Sequence, residues 1–146
     1  MAASSYDPPL QAPDVREVRG GGVIRLSLPV PPTGNHMFTV SRGRKIMGAA
    51  YRKWRKIAEP EIHRQMQGQT TILGPYKLSL RLDRLSKAER DLSNYLKGPE
   101  DALVACGVVR DDSDCQAIYA EWSDRPSGKG ACVWIEIEGI KKEEEF

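Results

Sequence analysis

The stretch Tyr76-Lys77-Leu78-Ser79-Leu80-Arg81-Leu82 alternates apolar and polar side chains and lies between two segments with helical periodicity. Alternation over this length is typical of a β-strand with one face in the core. Apolar residues recur at helical spacing in residues 49–67, before the strand, and in about residues 92–106, after it. A strand between two helical segments indicates a sheet that is covered by helices.

Further strands are predicted on both sides of this central part. Residues 23–28 alternate, and residues 37–47 are predicted to form a hairpin with a basic tip. Residues 116–122 and 131–137 are predicted as two more strands, joined as a hairpin by the loop 124–130. With the 37–47 hairpin counted as one unit, the order β-β-α-β-α-β-β predicts a single α+β domain with a mixed β-sheet covered by helices.

Two prolines lie inside the helical segments. Pro60 is expected to kink or split the first helix, and Gly98-Pro99 is expected to interrupt the second. Gly107 is expected to end the second helix. The apolar stripes predicted to face the core are Ala50, Trp54, Ile57, Ala58, Ile62 and Met66 in the first helix, and Leu92, Leu96, Pro99, Leu103 and Cys106 in the second.

The composition is that of a globular chain with room for one core. It has 146 residues, of which 40% are hydrophobic and 29% are charged. Residues 1–22 contain three prolines and end in Gly20-Gly21-Gly22, which predicts a disordered arm before a domain at 23–140 and a charged tail at 141–146. No apolar run approaches the roughly 20 residues that cross a membrane, and no secretory signal is visible, so no membrane association is expected.

The three cysteines are odd in number and widely spaced. Cys106, Cys115 and Cys132 therefore fit neither a disulfide framework nor a zinc pattern. Each is expected to be a small core residue, and an intracellular, reducing compartment is the expected location.

Positive and negative charges are unevenly distributed along the chain. Residues 23–90 contain 14 Lys and Arg against 4 Asp and Glu, whereas residues 91–146 contain 6 against 13. A basic half beside an acidic half suits a protein that grips a polyanion and holds cations at one place. The alternative is that both halves are solvated surface and intermix on folding.

The run Arg90-Asp91-Leu92-Ser93-Asn94-Tyr95-Leu96-Lys97 is followed by a pair of acids at Asp111-Asp112. Carboxylate and amide oxygens are hard ligands that suit Mg²⁺, and a lysine offers a compact positive charge to a phosphate. Together these groups can hold a hydrated divalent cation beside a phosphate. The structural alternative is that Asp91 starts a helix and that Asp111-Asp112 forms a turn.

Over about residues 23–139 the chain resembles the RusA family of Holliday junction resolvases, in particular its phage and prophage members. Pro31-Pro32-Thr33-Gly34-Asn35 is similar to the family's Pro-Pro-x-x-Asn turn, and the segment from Asp91 to Lys97 resembles its Asp-x-Asp-Asn-x-x-Lys motif. The resemblance implies a homodimeric, Mg²⁺-dependent endonuclease that nicks four-way DNA junctions symmetrically in the cytoplasm of a bacterial cell or an infected host. The residues that follow in the family's order and spacing are Asp101-Ala102-Leu103, Gly107 and Asp111-Asp112.

The resemblance also implies roles for individual residues. Asp91 and Asp112 are expected to bind Mg²⁺, for which Mn²⁺ is expected to substitute. Lys97 is expected to be the catalytic lysine, with Asn94 and Asp111 supporting the site. The basic residues expected to contact the DNA backbone are Arg42, Arg44, Lys45, Arg52, Arg55, Lys56, Arg84, Lys87 and Arg90.

Ser93 stands where the family's motif often has a second aspartate, so one negative charge is missing from the cluster. Three outcomes are open: the metal binds with more water, Asp114 supplies the charge, or the protein binds junctions and cuts poorly. We expect the first, because Mg²⁺ tolerates few protein ligands. The rival functions are a non-catalytic junction or branched-DNA-binding protein, and an RNA-binding or protein-interaction module with a fortuitous acidic cluster.

Overall fold

The computed structural model describes residues 22–125 and 130–141, and it confirms the predicted α+β class. The helices are α1 (Ala49–Gln65) and α2 (Lys97–Ala105), and three short 3₁₀ turns cover Gly34–His36, Leu92–Tyr95 and Asp112–Asp114. The strands are β1 (Val23–Pro29), β2 (Phe38–Ser41), β3 (Arg44–Met47), β4 (Tyr76–Leu82), β5 (Cys115–Trp122) and β6 (Cys132–Gly139).

β4 is an inner strand of a four-stranded mixed sheet with the order β1-β6-β4-β5. It runs parallel to β5 and antiparallel to β6, and β6 runs antiparallel to β1. Parallel neighbours need a crossover connection, and α2 lies in the chain between β4 and β5. β2 and β3 form a separate antiparallel hairpin, as predicted for this segment.

The hairpin predicted for the last two strands is wrong. Both strands form near the expected positions, but β4 lies between them and pairs with each. Side-chain burial explains the order, because β6 buries Val133, Ile135 and Ile137 and is suited to an inner position. β5 is largely exposed and takes the edge of the sheet.

The core lies against one face of the sheet. β4 buries Tyr76, Leu78, Leu80 and Leu82 in alternation, which confirms the face that the sequence pattern predicted. Side chains from β1, β6, α1 and α2 join the same apolar cluster. The helices therefore cover this face, as expected for a sheet with one apolar side.

α1 runs through Pro60 without a break, so the predicted split of this helix does not occur. Proline has no N–H, so the carbonyl group one turn earlier lacks its usual helical partner. Pro60 lies on the exposed side of the helix, where water can take that place.

The buried face of α1 differs from the predicted apolar stripe, because Ala50 and Ile57 are exposed. The residues that α1 buries are Tyr51, Trp54, Ala58 and Ile62, whose spacing of three or four places them on one face.

The second helical segment divides at Leu96 into the Leu92–Tyr95 turn and α2. Gly98 and Pro99 lie in the first turn of α2 rather than interrupting a longer helix. Proline is tolerated there because the first N–H groups of a helix have no partner within it. Gly107 has a φ of +72° after the end of α2, which is the conformation expected of a helix stop.

Several expectations concern parts of the chain outside this description. The predicted arm at residues 1–22 and the predicted tail at 141–146 lie almost entirely outside the described residues. Within residues 22–125 and 130–141, no helix is both long and apolar enough to cross a membrane. The three cysteines are free thiols; Cys132 is buried, whereas Cys106 and Cys115 are half-buried.

Candidate functional site

The Lys97 side chain is held between two carboxylates at the start of α2. Its Nζ atom lies 3.0 Å from Asp101 Oδ1, one helical turn further on, and 3.2 Å from Asp112 Oδ2. The side chains of Lys97 and Asp112 are 52% and 45% exposed, so these ion pairs orient the lysine more than they stabilise the fold. The fold thus brings together two of the predicted site residues, Lys97 and Asp112.

These contacts keep Lys97 protonated. The hydrogen bond that Lys97 donates to Asp101 is the largest influence, and it raises the pKa of the ammonium group. Partial burial acts in the opposite direction, and the hydrogen bond to Asp112 again raises the pKa. The site therefore presents a stable positive charge of the kind that binds a phosphate oxygen.

Close packing fixes the start of α2 against the turn that ends β1. A Cβ atom added to Gly98 would lie 3.3 Å from Pro31 Cβ, which is tighter than an ordinary contact. The Tyr51 hydroxyl donates to the Gly98 carbonyl at 3.5 Å. A Cβ atom on Gly34 would lie 3.4 Å from the Asn94 carbonyl oxygen. The two segments singled out in the sequence, 31–35 and 90–97, therefore lie against each other.

Asp91 and Ser93 lie on the exposed approach to this helix. Asp91 precedes the Leu92–Tyr95 turn, and its backbone carbonyl accepts a hydrogen bond from Asn94 N at 3.1 Å. Asp91 thus starts a short 3₁₀ turn, as in the structural alternative that the sequence left open, but its side chain makes no capping hydrogen bond. Among the described residues, the Asp91 carboxylate takes part in no hydrogen bond or ion pair, so its oxygens are available to a ligand.

The acids that follow α2 have separate surroundings. Asp111 caps the Asp112–Asp114 turn by accepting a hydrogen bond from Ser113 N at 3.2 Å. Hydrogen bonding with Asp112, and then with Ser113, lowers the pKa of the Asp111 carboxyl. Asp114 is held by Arg110, whose Nε and Nη2 atoms each donate to one of its oxygens at 3.2 Å. The charge of Asp114 is thus already matched by an arginine.

Two more acids at the start of α2 were not predicted as site residues. Asp101 follows Lys97 by four positions and forms an ion pair with it. The sequence could have predicted this pair, because residues four apart are neighbours on a helix. Glu100 is 9% exposed, and its burial raises the pKa of its carboxyl. The nearby charge of Lys97 opposes this shift, and that of Asp112 adds to it. Sequence periodicity gave no signal that Glu100 would be buried.

The donor chemistry fits a hydrated hard cation. Of the residues that the structure describes, no three His, Cys, Asp or Glu side chains lie close enough together to enclose a metal ion. The predicted ligands Asp91 and Asp112 are exposed carboxylates, whose oxygens suit Mg²⁺. Mg²⁺ commonly takes one or two carboxylates and keeps several waters. Each carboxylate is therefore a suitable ligand for a hydrated Mg²⁺ ion, and neither belongs to an all-protein cage of three or more such side chains among the described residues.

The predicted DNA-contacting residues of the hairpin and α1 differ in exposure. Arg42 and Arg44 are exposed at the hairpin tip, and Lys45 Nζ lies 4.3 Å from the centre of the Phe38 ring. Arg52 and Lys56 are exposed on α1. Arg55 differs, because its side chain is 14% exposed and donates hydrogen bonds to Tyr51 and Glu59, both at 3.0 Å. Arg55 is therefore engaged inside the fold.

A second basic group lies on the loop between β4 and Asp91. The Arg84 guanidinium lies 4.5 Å from the centre of the Trp122 ring, and Lys87 and Arg90 are exposed. Tyr95 packs edge-on against the same tryptophan, with 5.7 Å between ring centres. Trp122 thus links the basic loop to the Leu92–Tyr95 turn beside Lys97.

The family model described as Endodeoxyribonuclease RusA matches residues 29–138 of the chain. The matched region covers more than half of the 146 residues and includes the 31–35 turn, Lys97 and Asp112. No curated protein matches the chain.

Proposed function

Because this chain belongs to the RusA family of endodeoxyribonucleases, we propose that it resolves four-way DNA junctions by paired, symmetric, Mg²⁺-dependent nicks. The observation that carries the proposal is the Lys97 ammonium, held beside Asp112 at an exposed site. A charged lysine next to a carboxylate supplies both a phosphate contact and a cation ligand. Junction DNA of a bacterial cell or an infected host lies in the cytoplasm, where we expect the protein to act.

The metal site in this proposal consists of Asp91 and Asp112. Bound Mg²⁺, or Mn²⁺ in its place, supplies Lewis-acid charge and an activated water for phosphodiester hydrolysis. Asp91 and Asp112 would hold the ion through hard carboxylate oxygens, and Asn94 and Asp111 would support the surrounding chain. Ser93 would offer the ion a neutral hydroxyl in place of a carboxylate.

Lys97 has a separate role, which is to stabilise negative charge on the scissile phosphate. Asp101 is a positioning residue, because its ion pair with Lys97 at 3.0 Å holds the ammonium on one side of the helix. Lys97 would keep this contact with Asp101 if Asp112 served as a cation ligand. A fixed positive charge aimed at developing negative charge lowers the barrier to hydrolysis.

The exposed basic residues bind the phosphate backbone of the junction in this proposal. Such contacts depend on charge and shape rather than on base sequence, and they weaken as salt concentration rises. A homodimer matches the substrate, because a four-way junction offers two equivalent strands to cut. The residues in this role are Arg42, Arg44, Lys45, Arg52, Lys56, Arg84, Lys87 and Arg90.

A non-catalytic junction-binding protein is the second candidate. Ser93 removes one carboxylate from the motif, and Asp114, which would restore the charge, is held by Arg110. A cluster with too little negative charge would bind DNA through its basic surface and cut it poorly. Cleavage assays on a four-way junction, a flap and a plain duplex separate the two functions.

The test changes the charge of the metal site in both directions. Asp91→Asn should lower Mg²⁺-dependent cleavage of a synthetic four-way junction at least about 100-fold and leave metal-free junction binding intact. Ser93→Asp should tighten Mn²⁺ binding measured by calorimetry and hold or raise cleavage, because it adds a hard ligand. Asp124→Asn, at an exposed position of the same residue type, is the matched control.

Two results would count against this proposal. Full cleavage by Asp91→Asn would remove Asp91 from metal binding. A wild-type protein that binds the junction tightly but cuts neither it nor a flap, with Mg²⁺ or with Mn²⁺, would favour the non-catalytic function.

A further inference from the structure

The β2–β3 hairpin stands apart from the four-stranded sheet and presents apolar side chains to solvent. All residues of both its strands are exposed, and among the described residues neither strand pairs with a strand outside the hairpin. Contiguous apolar groups at a protein surface commonly mark a binding site. The large apolar residues of the hairpin are Phe38, Val40, Ile46 and Met47, which are 39%, 73%, 42% and 38% exposed.

The hairpin is fixed at its tip and at its base although its strands bury so little. Arg42 and Gly43 have φ values of +50° and +74° at the tip, as a two-residue hairpin turn requires. At the base, Met37 is buried, and the Phe38 ring lies 6.2 Å from the Tyr51 ring of α1. A two-stranded hairpin is only marginally stable alone, so these anchors hold a preformed ribbon with its apolar groups in water.

The surface around these apolar groups is positively charged. Residues 36–48 contain Arg42, Arg44 and Lys45 and no aspartate or glutamate. Val40 pairs with Lys45 across the hairpin, so the most exposed apolar side chain has a cation beside it on the same face. Proteins that push an apolar side chain between base pairs combine it with lysine and arginine in this way.

The base of the hairpin adjoins the candidate nuclease site. β2 follows the Gly34–His36 turn, and a Cβ atom on Gly34 would lie 3.4 Å from the carbonyl oxygen of Asn94, in the turn before Lys97. A strand of four residues extends on the order of 10 Å, and the major groove of DNA is about 8.5 Å deep. Base pairs of a DNA strand whose backbone lies at the site are therefore within reach of the hairpin.

We propose that the hairpin inserts Val40 between base pairs at the branch point of a DNA junction, and that this contact selects branched DNA over plain duplex. Inserting an apolar side chain into a duplex costs the free energy of unstacking a base step. At a branch point the stacking is already interrupted, so this cost is smaller. The inference rests on the proposed function for its ligand, and it adds the residue that recognises the branched form.

The apolar and basic residues of the hairpin then have separate effects on binding. Arg44 and Lys45 contact phosphates, which a junction and a duplex both offer, so they strengthen binding to both. Val40 contacts base faces, which are accessible at low cost where stacking is interrupted. Val40 therefore sets the ratio of the two affinities, and the basic residues set their common level.

The first measurement compares the affinities of the full chain for a synthetic four-way junction and for a duplex with the sequence of one arm. Both are measured in EDTA, so that no DNA is cut. Val40→Ser should weaken junction binding about tenfold and duplex binding no more than about twofold, because it removes an apolar side chain that only the junction buries. Arg44→Gln should weaken binding to both DNAs by the same factor.

Two further variants test whether the apolar character of Val40 is what matters. Leu73→Ser, at a 58% exposed apolar position outside the hairpin, is the matched control and should bind both DNAs as the wild type does. Val40→Leu should keep the junction preference, because leucine also buries an apolar side chain. A wild type without junction preference, a Val40→Ser variant that retains it, or a Val40→Leu variant that loses it would overturn the inference.

A second measurement locates the contact on the DNA. The fluorescent base 2-aminopurine, which is brighter when it is unstacked, is placed at the branch point or in the middle of an arm. Wild-type binding should brighten the base at the branch point, and Val40→Ser should brighten it less. The base in the arm should respond to neither protein. Equal responses at the two positions would place the hairpin along a duplex arm and would overturn the inference.

Other occupants and the proposed function give different patterns. If the hairpin packs on a second protein molecule, Val40→Ser changes junction and duplex binding by the same factor, which contradicts the inference. A wild type whose junction preference depends on Val40 but which cuts no DNA with Mg²⁺ or Mn²⁺ refutes the proposed cleavage alone. A wild type that cuts junctions, with a preference that does not depend on Val40, refutes this inference alone.

Discussion

The Glu100 carboxyl lies in the first turn of α2 with little contact with solvent. Burial is the main reason that its pKa is raised from the usual 4.5, and the charge of Asp112 adds to this effect. A raised pKa means that the folded protein holds the proton more tightly than the unfolded chain does. The buried charge therefore costs stability at every pH above the raised value, and nothing below about 4.5.

Glu100→Gln should stabilise the metal-free protein at neutral pH. The neutral amide removes the cost of burying a charge, so we expect a gain of roughly 0.5–2 kcal/mol in the free energy of unfolding at pH 8. The gain should vanish below pH 4.5, where the wild-type carboxyl is protonated in both states. Urea unfolding at the two pH values in EDTA measures this.

The exposed Glu89→Gln is the matched control and should change stability little at either pH. Equal stability of Glu100→Gln and the wild type at pH 8 would contradict a buried, costly charge.

At the scale of elements, Gly48 joins the β2–β3 hairpin to α1. Its N–H donates to the Met37 carbonyl at 2.8 Å, and a Cβ atom at this position would lie 2.5 Å from the His36 carbonyl oxygen. A backbone atom cannot move aside as the tip of a flexible side chain can. The Gly34–His36 turn and the start of α1 therefore approach each other at a distance that only glycine permits.

Gly48→Ala should destabilise the protein by roughly 1–3 kcal/mol, because the methyl group forces the Gly34–His36 turn away from the start of α1. Thermal unfolding followed by circular dichroism measures the loss. Gly34→Ala is the matched control, since its Cβ would meet the nearest atom at an ordinary 3.4 Å and should be tolerated. A Gly48→Ala variant as stable as the control would contradict the close approach.

Local sequence patterns predicted some elements of the fold correctly and others wrongly. Strand alternation placed β4 and its buried face correctly, because that pattern depends only on residues 76–82. The partner of β5 was predicted wrongly, because a short loop favours a hairpin and nothing local shows that β4 will lie between the two strands. The stripe of α1 was displaced for a similar reason, since Tyr51 is buried through its contact with the start of α2.

At the scale of the whole molecule, one buried carboxylate links the ends of three strands. Asp83 follows β4 and is 1% exposed. Its oxygens accept hydrogen bonds from the Ser123 hydroxyl after β5, at 2.5 Å, and from Cys132 N at the start of β6, at 3.1 Å. Arg125 Nη1 lies 3.1 Å away and balances the charge. Buried charges are stable when they are paired and hydrogen-bonded in this way.

Asp83→Ala should lower the free energy of unfolding by on the order of 3 kcal/mol, because it leaves the Ser123 hydroxyl and the Cys132 N–H buried without an acceptor. Urea unfolding at pH 7 measures the change. Asp124→Ala, at a neighbouring exposed aspartate, should stay close to the wild type. If Asp83→Ala fails to fold, Asp83→Asn, which keeps an acceptor oxygen, should recover a cooperative unfolding transition. An Asp83→Ala variant as stable as the wild type would contradict a stabilising role for the hydrogen bonds to Asp83.

The uneven charge of the sequence is redistributed by the fold. Arg25 pairs with Glu136 at 3.1 Å, and Arg81 pairs with Glu121 at 2.8 Å, so the basic and acidic halves meet across the sheet. The alternative in which both halves intermix therefore holds for these strands. The hairpin tip keeps its positive charge exposed, which leaves part of the expected basic surface intact.

Local pattern alone was enough for the α+β class, the alternation of β4, the helix stop at Gly107 and the family to which the chain belongs. These depend on neighbours along the chain and on short motifs. Only the tertiary structure decided three other features. These are the position of β6 between β1 and β4, the open edge of β5, and the contact of Lys97 with Asp112. These features depend on which distant segments bury apolar surface against each other. The free energy of that burial belongs to pairs of segments, so no single segment of the sequence predicts it.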